Sequence, residues 1–201
     1  MMLQMRIFNW VYAKLFSVVF SRRFGSFGRG VRIISPVAIE GAHNIYIGDN
    51  VLVAAQSCLA ATALTGEPYC SLELGDGCTI GRFNHIYATG RIVLGRDVLT
   101  ANNVYITDNL HDYRNPDLPI VKQPIVQKSF VEIGDGTWLG HNACVIAVRI
   151  GRNCVVGANS VVTRDVPDFC VVVGAPGVII KRFNSQTRQW MPTNPDGTFL
   201  F

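Results

Sequence analysis

A six-residue period constrains the fold of this chain more than any other feature of its sequence. Each hexad opens with an aliphatic residue, usually continues with Gly or another small residue, and carries a small or apolar residue at its fifth position, as in IGDGTW-LGHNAC over 133–144. Neither an α-helix, with a period of 3.6, nor a simple strand, with a period of 2, produces this pattern. Hexapeptide repeats are typical of a parallel β-helix, in which three hexads form one triangular coil.

The same period recurs through most of the chain. Further hexads open at Ile47, Val53, Leu59, Leu74, Ile80, Ile86, Ile92, Leu94, Ile106, Ile150 and Val156, with Thr100 as a weak member. In such a coil the opener and the small fifth residue point inward. Coils stack at the inter-strand spacing of about 4.8 Å, so that backbone groups pair with the coils above and below. We therefore predict an all-β fold, a parallel β-helix.

Composition limits the classes of protein that this chain can belong to. Its 201 residues are 49% hydrophobic and 16% charged, which indicates one ordered domain with a large core. The net charge of +4 comes without a dense Lys/Arg tract, so we expect no nucleic-acid partner. None of the six cysteines forms a C-x-x-C pair, and Cys78 and Cys154 occupy the small inward position. We expect reduced, structural cysteines, which suit a cytoplasmic chain, with redox or disulfide roles as the alternative.

The N-terminal segment, residues 1–30, differs from the rest of the chain. It is rich in large apolar residues, but it is too short and too interrupted for a membrane span and lacks a cleavage site of the signal-peptide kind. Two interpretations stay open. The favoured one is a helix that caps the open end of the solenoid. The other is a helix in which residues 1–29 make peripheral contact with the inner face of a membrane, helped by Arg22, Arg23 and Arg29.

The six-residue period of the remaining chain is interrupted by one long loop. Residues 31–183 are predicted to form the β-helix domain, interrupted by a protruding loop over 108–130 that contains three prolines. Long loops inside a regular solenoid are usually functional. A short C-terminal helix is predicted over Ile179–Trp190, and residues 184–201 form a C-terminal tail.

Two polar residues interrupt the regular pattern. His111 lies within the protruding loop, and the solenoid offers no other obvious general base. Asn84 occupies a fifth position, where a small or apolar group is expected, and a buried amide there needs partners. Either neighbouring coils satisfy Asn84, or it offers hydrogen bonds to a ligand in a cleft.

The run VEIGDGTWLGHNACVIAVRIGRNCVVGANSVVTRDVPDFCVVVGAPGVIIKRF at 131–183 resembles the C-terminal signature of hexapeptide-repeat acyltransferases. The chain is most similar to bacterial O-acetyltransferases, which include the galactoside and maltose acetyltransferases and enzymes of surface polysaccharide synthesis. This resemblance implies a left-handed parallel β-helix, an exception to the usual right-handed crossover rule. It also implies a homotrimer, acetyl-CoA as the donor and a carbohydrate hydroxyl as the acceptor, with no metal required.

The resemblance also assigns site residues. The family's catalytic His follows a VLIAPNV-like segment, here Val98–Val104, and so matches His111. The acceptor pocket is expected to involve Asn84, His85 and Asp112, with Asp112 also a candidate to orient the imidazole. The predicted coenzyme A contacts are Trp138, Gly140, His141, Ala158, Thr163, Arg164 and Lys181. The corner before Ile150 is one residue shorter than the family pattern, so the geometry near the coenzyme is expected to differ there.

These expectations favour an acetyl-CoA-dependent O-acetyltransferase that acts on a surface polysaccharide or its precursor, with His111 as the general base. N-acetylation of an amino sugar or nucleotide-sugar is the alternative within acyl transfer. A metalloenzyme similar to the γ-carbonic anhydrases is a remote alternative, because it requires three histidines that converge on zinc. A non-catalytic scaffold is a further alternative, which would not bind coenzyme A.

Overall fold

The computed structural model describes the backbone of residues 2–200 and the side chains of residues 7–200. One α-helix, α1 (Met2–Phe20), precedes the strands, and short 3-10 turns span Ser21–Arg23, Ala42–Asn44 and Ile120–Lys122. The strands are β1 (Ser26–Phe27), β2 (Arg32–Ile33), β3 (Ala38–Glu40), β4 (Ile45–Ile47), β5 (Leu52–Val53), β6 (Cys58–Ala61), β7 (Ser71–Leu74), β8 (Thr79–Ile80), β9 (His85–Ala88), β10 (Arg91–Leu94), β11 (Leu99–Thr100), β12 (Tyr105–Thr107), β13 (Asn109–His111), β14 (Ile125–Gln127), β15 (Val131–Ile133), β16 (Trp138–Leu139), β17 (Cys144–Ile146), β18 (Arg149–Ile150), β19 (Val155–Val156), β20 (Val161–Val162), β21 (Cys170–Val173), β22 (Val178–Asn184) and β23 (Gln189–Pro192).

Three parallel sheets form the walls of a β-helix. Sheet A has the order β1-β4-β7-β10-β15-β18, sheet C has the order β3-β6-β9-β12-β17-β20, and sheet B begins β2-β5-β8-β11-β16-β19-β21. Successive strands enter sheets A, B and C in turn, so each coil contributes one strand to each wall. The predicted β-helix is confirmed.

The hexad openers form continuous ladders inside this helix. In sheet A, Ile47 pairs with Leu74, which pairs with Leu94, then Ile133 and Ile150. These side chains are all buried, as are the openers of sheets B and C and the small residues at the fifth positions. Cys78 and Cys154 lie among them as free thiols, as the sequence predicts. The local period therefore identifies the core directly.

The corners of the coils place several residues in the left-handed region. Asn103, Asn142 and Asn159 have φ near +59°, a conformation that Asn tolerates better than most residues. The shortened corner before Ile150 places Ala147 at φ +51°, and its N–H donates to Thr107 O at 2.8 Å. The turn at this corner therefore runs through a left-handed Ala147.

Helix α1 covers the end of the solenoid formed by the first coil. Ala13 and Phe16 are buried, and the Phe16 ring packs against those of Phe20 and Phe24 at centroid distances of 4.9 and 6.4 Å. Without this helix, the inward-facing apolar side chains of the first strand in each sheet would be exposed to water. This is the arrangement that the capping interpretation predicts. Within residues 2–200, no helix is long and apolar enough to cross a membrane.

The C-terminal segment corrects the sequence prediction. The helix expected over Ile179–Trp190 is instead an antiparallel hairpin of β22 and β23, which extends sheet B beyond β21. The β-branched run at 178–180 favours a strand, and β22 satisfies the backbone groups at the open edge of β21. Phe183 and Trp190 pack across the hairpin at 5.7 Å. The helix prediction was wrong because the short turn after β21 returns the chain antiparallel to that strand, so this segment pairs with the free edge of β21.

Candidate active site

His111 lies at the end of β13 within the excursion between coils four and five. Strand β13 pairs with β14 in a small antiparallel sheet, where His111 is opposite Ile125. The imidazole is exposed, and the N–H of the next residue donates to Pro124 O at 2.9 Å. The excursion predicted as a loop is therefore partly ordered by a hairpin, which holds the His111 backbone on both sides.

A buried carboxylate fixes the base of this hairpin. Asp108 is fully buried and accepts hydrogen bonds from the N–H groups of Thr89 at 2.9 Å and Gly90 at 2.8 Å. The Asn109 amide donates to the same carboxylate at 3.1 Å, and the Thr89 hydroxyl oxygen lies 3.2 Å from it. A buried charge is tolerated when it is well hydrogen-bonded. Asp108 lies three residues before His111, and its hydrogen bonds attach this part of the chain to the preceding coil.

Gln127 on the other strand completes this attachment. Its side-chain oxygen accepts from the hydroxyls of Thr89 at 2.7 Å and Thr65 at 2.9 Å, while its amide donates to Asp108 O at 3.0 Å. The tip of the excursion is held by Gln123, whose amide donates to the carbonyls of Asn115 and Leu118, both at 2.9 Å. These polar links order the loop without an apolar core of its own.

The Asp112 side chain forms an ion pair with Arg114. Its carboxylate accepts from the Arg114 guanidinium at 2.7 and 2.8 Å and from the Arg114 N–H at 3.1 Å. These bonds hold the pKa of the Asp112 carboxyl well below its usual range. The carboxylate is thus engaged with Arg114, with no hydrogen bond to the His111 ring among the described side chains, and its role in orienting that ring stays a prediction.

Asn84 is an internal structural group, which corrects its assignment to the acceptor pocket. It is buried, its amide donates to the Thr100 hydroxyl, and its side-chain oxygen accepts from the Val104 N–H at 2.7 Å. The Thr100 hydroxyl in turn accepts from the Gly81 N–H at 3.0 Å. The two irregular hexad positions, Asn84 and Thr100, therefore satisfy one another, and Asn84 faces no cleft.

The outer face of sheet C carries an aromatic group beside the excursion. His85 lies 6.1 Å from Tyr87 and 5.6 Å from Tyr105 between ring centroids, the latter pair edge-to-face. The Tyr87 carbonyl accepts from the Asn109 amide at 3.4 Å, next to the root of the hairpin. His85, unlike Asn84, thus points outward on a surface that adjoins the His111 excursion.

Three of the predicted coenzyme contacts lie together at one corner of the coils. Gly140, His141 and Ala158 lie where the chain turns from sheet B to sheet C, and the Asn159 N–H donates to His141 O at 2.8 Å. A Cβ on Gly140 would lie 2.7 Å from the Ala158 nitrogen, so the close approach of the coils is one reason for glycine there. His141 is exposed, with its Nε2 at 3.5 Å from the Asn103 amide nitrogen.

The other contacts lie elsewhere on the wall. Thr163 and Arg164 follow β20 at the corner between sheets C and A, the same corner at which the His111 excursion leaves after β12, two coils earlier. Two strand spacings separate these positions, about 10 Å along the axis. Trp138 is exposed on sheet B, and Lys181 is exposed on β22 opposite Val171. Arg164 and Lys181 are both exposed at the end of the solenoid beyond the His111 coil.

Sequence reasoning missed the residues that hold the excursion in place. Asp108, Gln127 and Thr65 form one hydrogen-bonded group although they are distant in sequence. The only local signal was an acidic residue directly after the apolar strand β12. Within residues 7–200, no group of three or more His, Cys, Asp and Glu side chains is arranged to hold a metal ion.

Comparisons with known proteins show which sequences this chain is similar to. The family model described as "Hexapeptide repeat of succinyl-transferase" matches residues 130–164. The putative lipopolysaccharide biosynthesis O-acetyl transferase WbbJ of Escherichia coli is 36% identical over 123 residues, 57% of this chain and 62% of that protein. The galactoside O-acetyltransferase of Lactococcus lactis is 36% identical over 94 residues, 46% of this chain and 44% of that protein. The chain thus spans less than two thirds of these relatives.

The solved structures support the same fold. A mutant of AntD, an N-acyltransferase from Bacillus cereus crystallised with dTDP and coenzyme A, superposes with a TM-score of 0.70 at 20% identity, covering 87% of this chain and 90% of that one. The fold is a left-handed parallel β-helix, as predicted. The resemblance to hexapeptide-repeat acyltransferases is also confirmed, and the two relatives described above are both named as O-acetyltransferases.

Proposed function

We propose that this chain transfers an acetyl group from acetyl-CoA to a hydroxyl group of a carbohydrate. The observation that carries this proposal is the exposed imidazole of His111, held on a hairpin whose base is fixed by the buried Asp108. A solenoid wall offers few positions for a general base. Here the period is broken by an ordered excursion that presents one. The similarity to O-acetyltransferases of carbohydrates supports the same chemistry.

In the proposed reaction, His111 removes the proton from the acceptor hydroxyl as its oxygen attacks the thioester carbonyl carbon. A C–O bond forms, the C–S bond breaks, and the imidazolium returns the proton to the leaving thiolate. General-base catalysis of this kind typically contributes about 10²- to 10⁴-fold. The products are the O-acetylated carbohydrate and free coenzyme A, and no redox partner is needed.

The donor is proposed to lie along the last coils. Because Gly140 and Ala158 have no large side chains, their corner leaves room for a pantetheine arm that bonds to backbone groups. His141 and Trp138 are exposed nearby in sequence and can contact the arm. Arg164 and Lys181 are exposed and can neutralise coenzyme phosphates, with Thr163 beside them. The donor supplies the activated thioester, and these residues would hold it.

The acceptor is proposed to lie against the outer face of sheet C. His85, Tyr87 and Tyr105 combine aromatic surface with hydrogen-bonding groups, a combination suited to a sugar ring. The named role of WbbJ in lipopolysaccharide biosynthesis favours a surface polysaccharide or its precursor. N-acylation of a nucleotide-sugar is the second candidate, favoured by the structural similarity to AntD.

A homotrimer is part of the proposal because the predicted contacts are separated within one chain. Gly140, His141 and Ala158 lie at one edge of sheet C, whereas the His111 excursion leaves from the other. A neighbouring subunit can place its own His111 beside the donor corner, and closed symmetric assemblies are the rule among soluble oligomers. A mass measurement in solution tests this: three chains are expected, and a monomer with full activity would contradict a shared site.

An acceptor screen tests the proposed reaction. Acetyl-CoA is incubated with the protein and with free sugars, nucleotide-sugars or lipid-linked glycans, and thiol release is followed. Product acetyl groups that mild base removes identify O-acetylation, whereas base-stable acetyl groups identify N-acetylation. Acceptor-dependent release with a base-labile product is expected. Failure of coenzyme A to stabilise the protein thermally would contradict donor binding and favour a scaffold.

A further inference from the structure

The N-terminal end of this protein has a charge unlike that of the rest. Residues 1–39 contain six Lys and Arg and no Asp or Glu, whereas the whole chain has a net charge of only +4. Positive charge is therefore concentrated at the end of the solenoid that α1 covers. Such an end attracts an anionic surface over a distance set by the Debye length.

Helix α1 is apolar on both of its sides. Its inner side buries Ala13 and Phe16 on the first coil. At 100° per residue, the opposite side is a continuous strip of exposed apolar side chains, with Leu15 61% and Val18 80% exposed. The strip consists of Ile7, Phe8, Val11, Leu15, Val18 and Val19. Capping the core explains the inner side alone and leaves this outer strip unexplained.

Cations border the outer strip. Arg22 and Arg23 follow the helix in the 3-10 turn and are exposed, and Arg23 lies over the Phe20 ring at 5.4 Å. Lys14 flanks the strip, with its amine 5.8 Å from the Trp10 ring centroid. Of the basic residues near this end, Arg29 is engaged by Asp49 at 2.8 Å.

A cleft between α1 and the first coil adds a place for a headgroup. It has a volume of about 580 Å³, and its lining includes Trp10, Lys14 and Arg32. Tryptophan and lysine are residues that favour the interface between lipid and water. An apolar strip bordered by cations and by this cleft matches a leaflet of anionic phospholipid, with acyl chains below the strip and phosphates beside the cations.

We propose that the outer strip of α1 docks this protein on the surface of an anionic phospholipid membrane. The helix lies in the plane of the interface and does not span it. The docking is independent of the acetyl-transfer chemistry, since none of its residues belongs to the proposed active site. It would bring the enzyme to acceptors that are attached to lipid.

Vesicle sedimentation tests this inference with the full chain. Vesicles of phosphatidylcholine alone are compared with vesicles that also contain phosphatidylglycerol, at low and high salt. The wild type is expected to sediment with the anionic vesicles at low salt, and high salt is expected to weaken binding severalfold. The double variant Leu15→Gln with Val18→Gln, and separately Arg22→Gln with Arg23→Gln, should each reduce binding at least several-fold.

A matched control separates docking from general hydrophobicity. Leu118→Gln with Val121→Gln removes two side chains of comparable type, 45% and 85% exposed in the excursion, and should leave binding unchanged. Unaltered thermal unfolding of each variant shows that it is folded. The inference is overturned if the wild type does not bind anionic vesicles, or if the helix variants bind equally well. It is also overturned if the helix variants change only the mass in lipid-free solution, which would identify a second copy as the occupant.

Discussion

The Asp108 carboxylate accepts a hydrogen bond of 2.9 Å from the backbone N–H of Thr89, which ties the excursion that carries His111 to the preceding coil. A second bond, from the Gly90 N–H at 2.8 Å, makes the attachment bidentate. The position of the proposed base is therefore determined by a buried carboxylate on the wall of the solenoid. In the proposed reaction, Asp108 is a positioning residue for His111 and need not touch a substrate.

Replacing Asp108 with Asn tests this role. The variant Asp108→Asn places an amide nitrogen against one of the two backbone donors, so we expect a loss of about 1–3 kcal/mol in the free energy of unfolding. We also expect kcat to fall while KM for acetyl-CoA stays close to the wild-type value. Denaturant unfolding and steady-state kinetics measure these effects. The control is Asp117→Asn, an exposed aspartate of the same excursion. Equal effects of the two substitutions would contradict the assignment.

Asn84 is predicted to support stability alone. Asn84→Ala leaves the Val104 N–H without its side-chain acceptor, so the free energy of unfolding should fall by about 1–3 kcal/mol. Because Asn84 bonds to Thr100, the variants Asn84→Ala and Thr100→Val should be non-additive in a double-mutant cycle, with a coupling of about 0.5–3 kcal/mol. KM for the acceptor should not change. A raised KM for the acceptor in a stably folded Asn84→Ala variant would show instead that Asn84 takes part in acceptor binding.

These two residues show where sequence reasoning succeeds and where it fails. The core was predictable because the position of a residue within its hexad is enough to indicate whether its side chain points inward, as for Ile47 and Ile133. His111 was predictable because it lies where that period stops. The partnership of Asn84 with Thr100 and the attachment of Asp108 to Thr89 join different coils. Such contacts depend on the coil register, which no local pattern encodes.

The buried thiols predict an alkaline limit of stability. Burial raises the pKa of Cys78 and of Cys154 to about 11, above the ordinary 9.0. The unfolded chain therefore loses these protons first, and the free energy of unfolding should fall as pH rises from about 9 to about 11. Denaturant unfolding at several pH values measures the slope. The double variant Cys78→Ala with Cys154→Ala should show a shallower slope, and an unchanged slope would contradict the explanation.

The Asp112–Arg114 pair is predicted to be dispensable for the pH dependence of catalysis. Since the lowered pKa of Asp112 arises from Arg114, this carboxylate stays ionised as the pH falls below the ordinary carboxyl range. Any stability that the pair provides is present above that range and is lost as the pH falls through the lowered pKa. Asp112→Asn should keep the acid limb of the kcat/KM profile in place. A clear shift of that limb would show that Asp112 does act on His111.

The cations of the last coils are predicted to act on donor binding. Arg164→Gln and Lys181→Gln should each raise KM for acetyl-CoA several-fold with little change in kcat, because they would contact phosphates remote from the thioester. Initial rates at varied acetyl-CoA concentration measure both constants. Arg188→Gln, an exposed cation of the same C-terminal hairpin, is the control and should behave as the wild type. A fall in kcat at unchanged KM would contradict a role in donor binding.

The most direct test of the central claim is the turnover of His111→Ala beside that of His43→Ala, with an acceptor identified by the screen. His43 is also exposed, but it lies in the 3-10 turn Ala42–Asn44. We predict that His111→Ala loses about 10²- to 10⁴-fold in kcat while the folded protein still binds coenzyme A. His43→Ala should retain wild-type turnover. Near-normal turnover by His111→Ala would contradict the account.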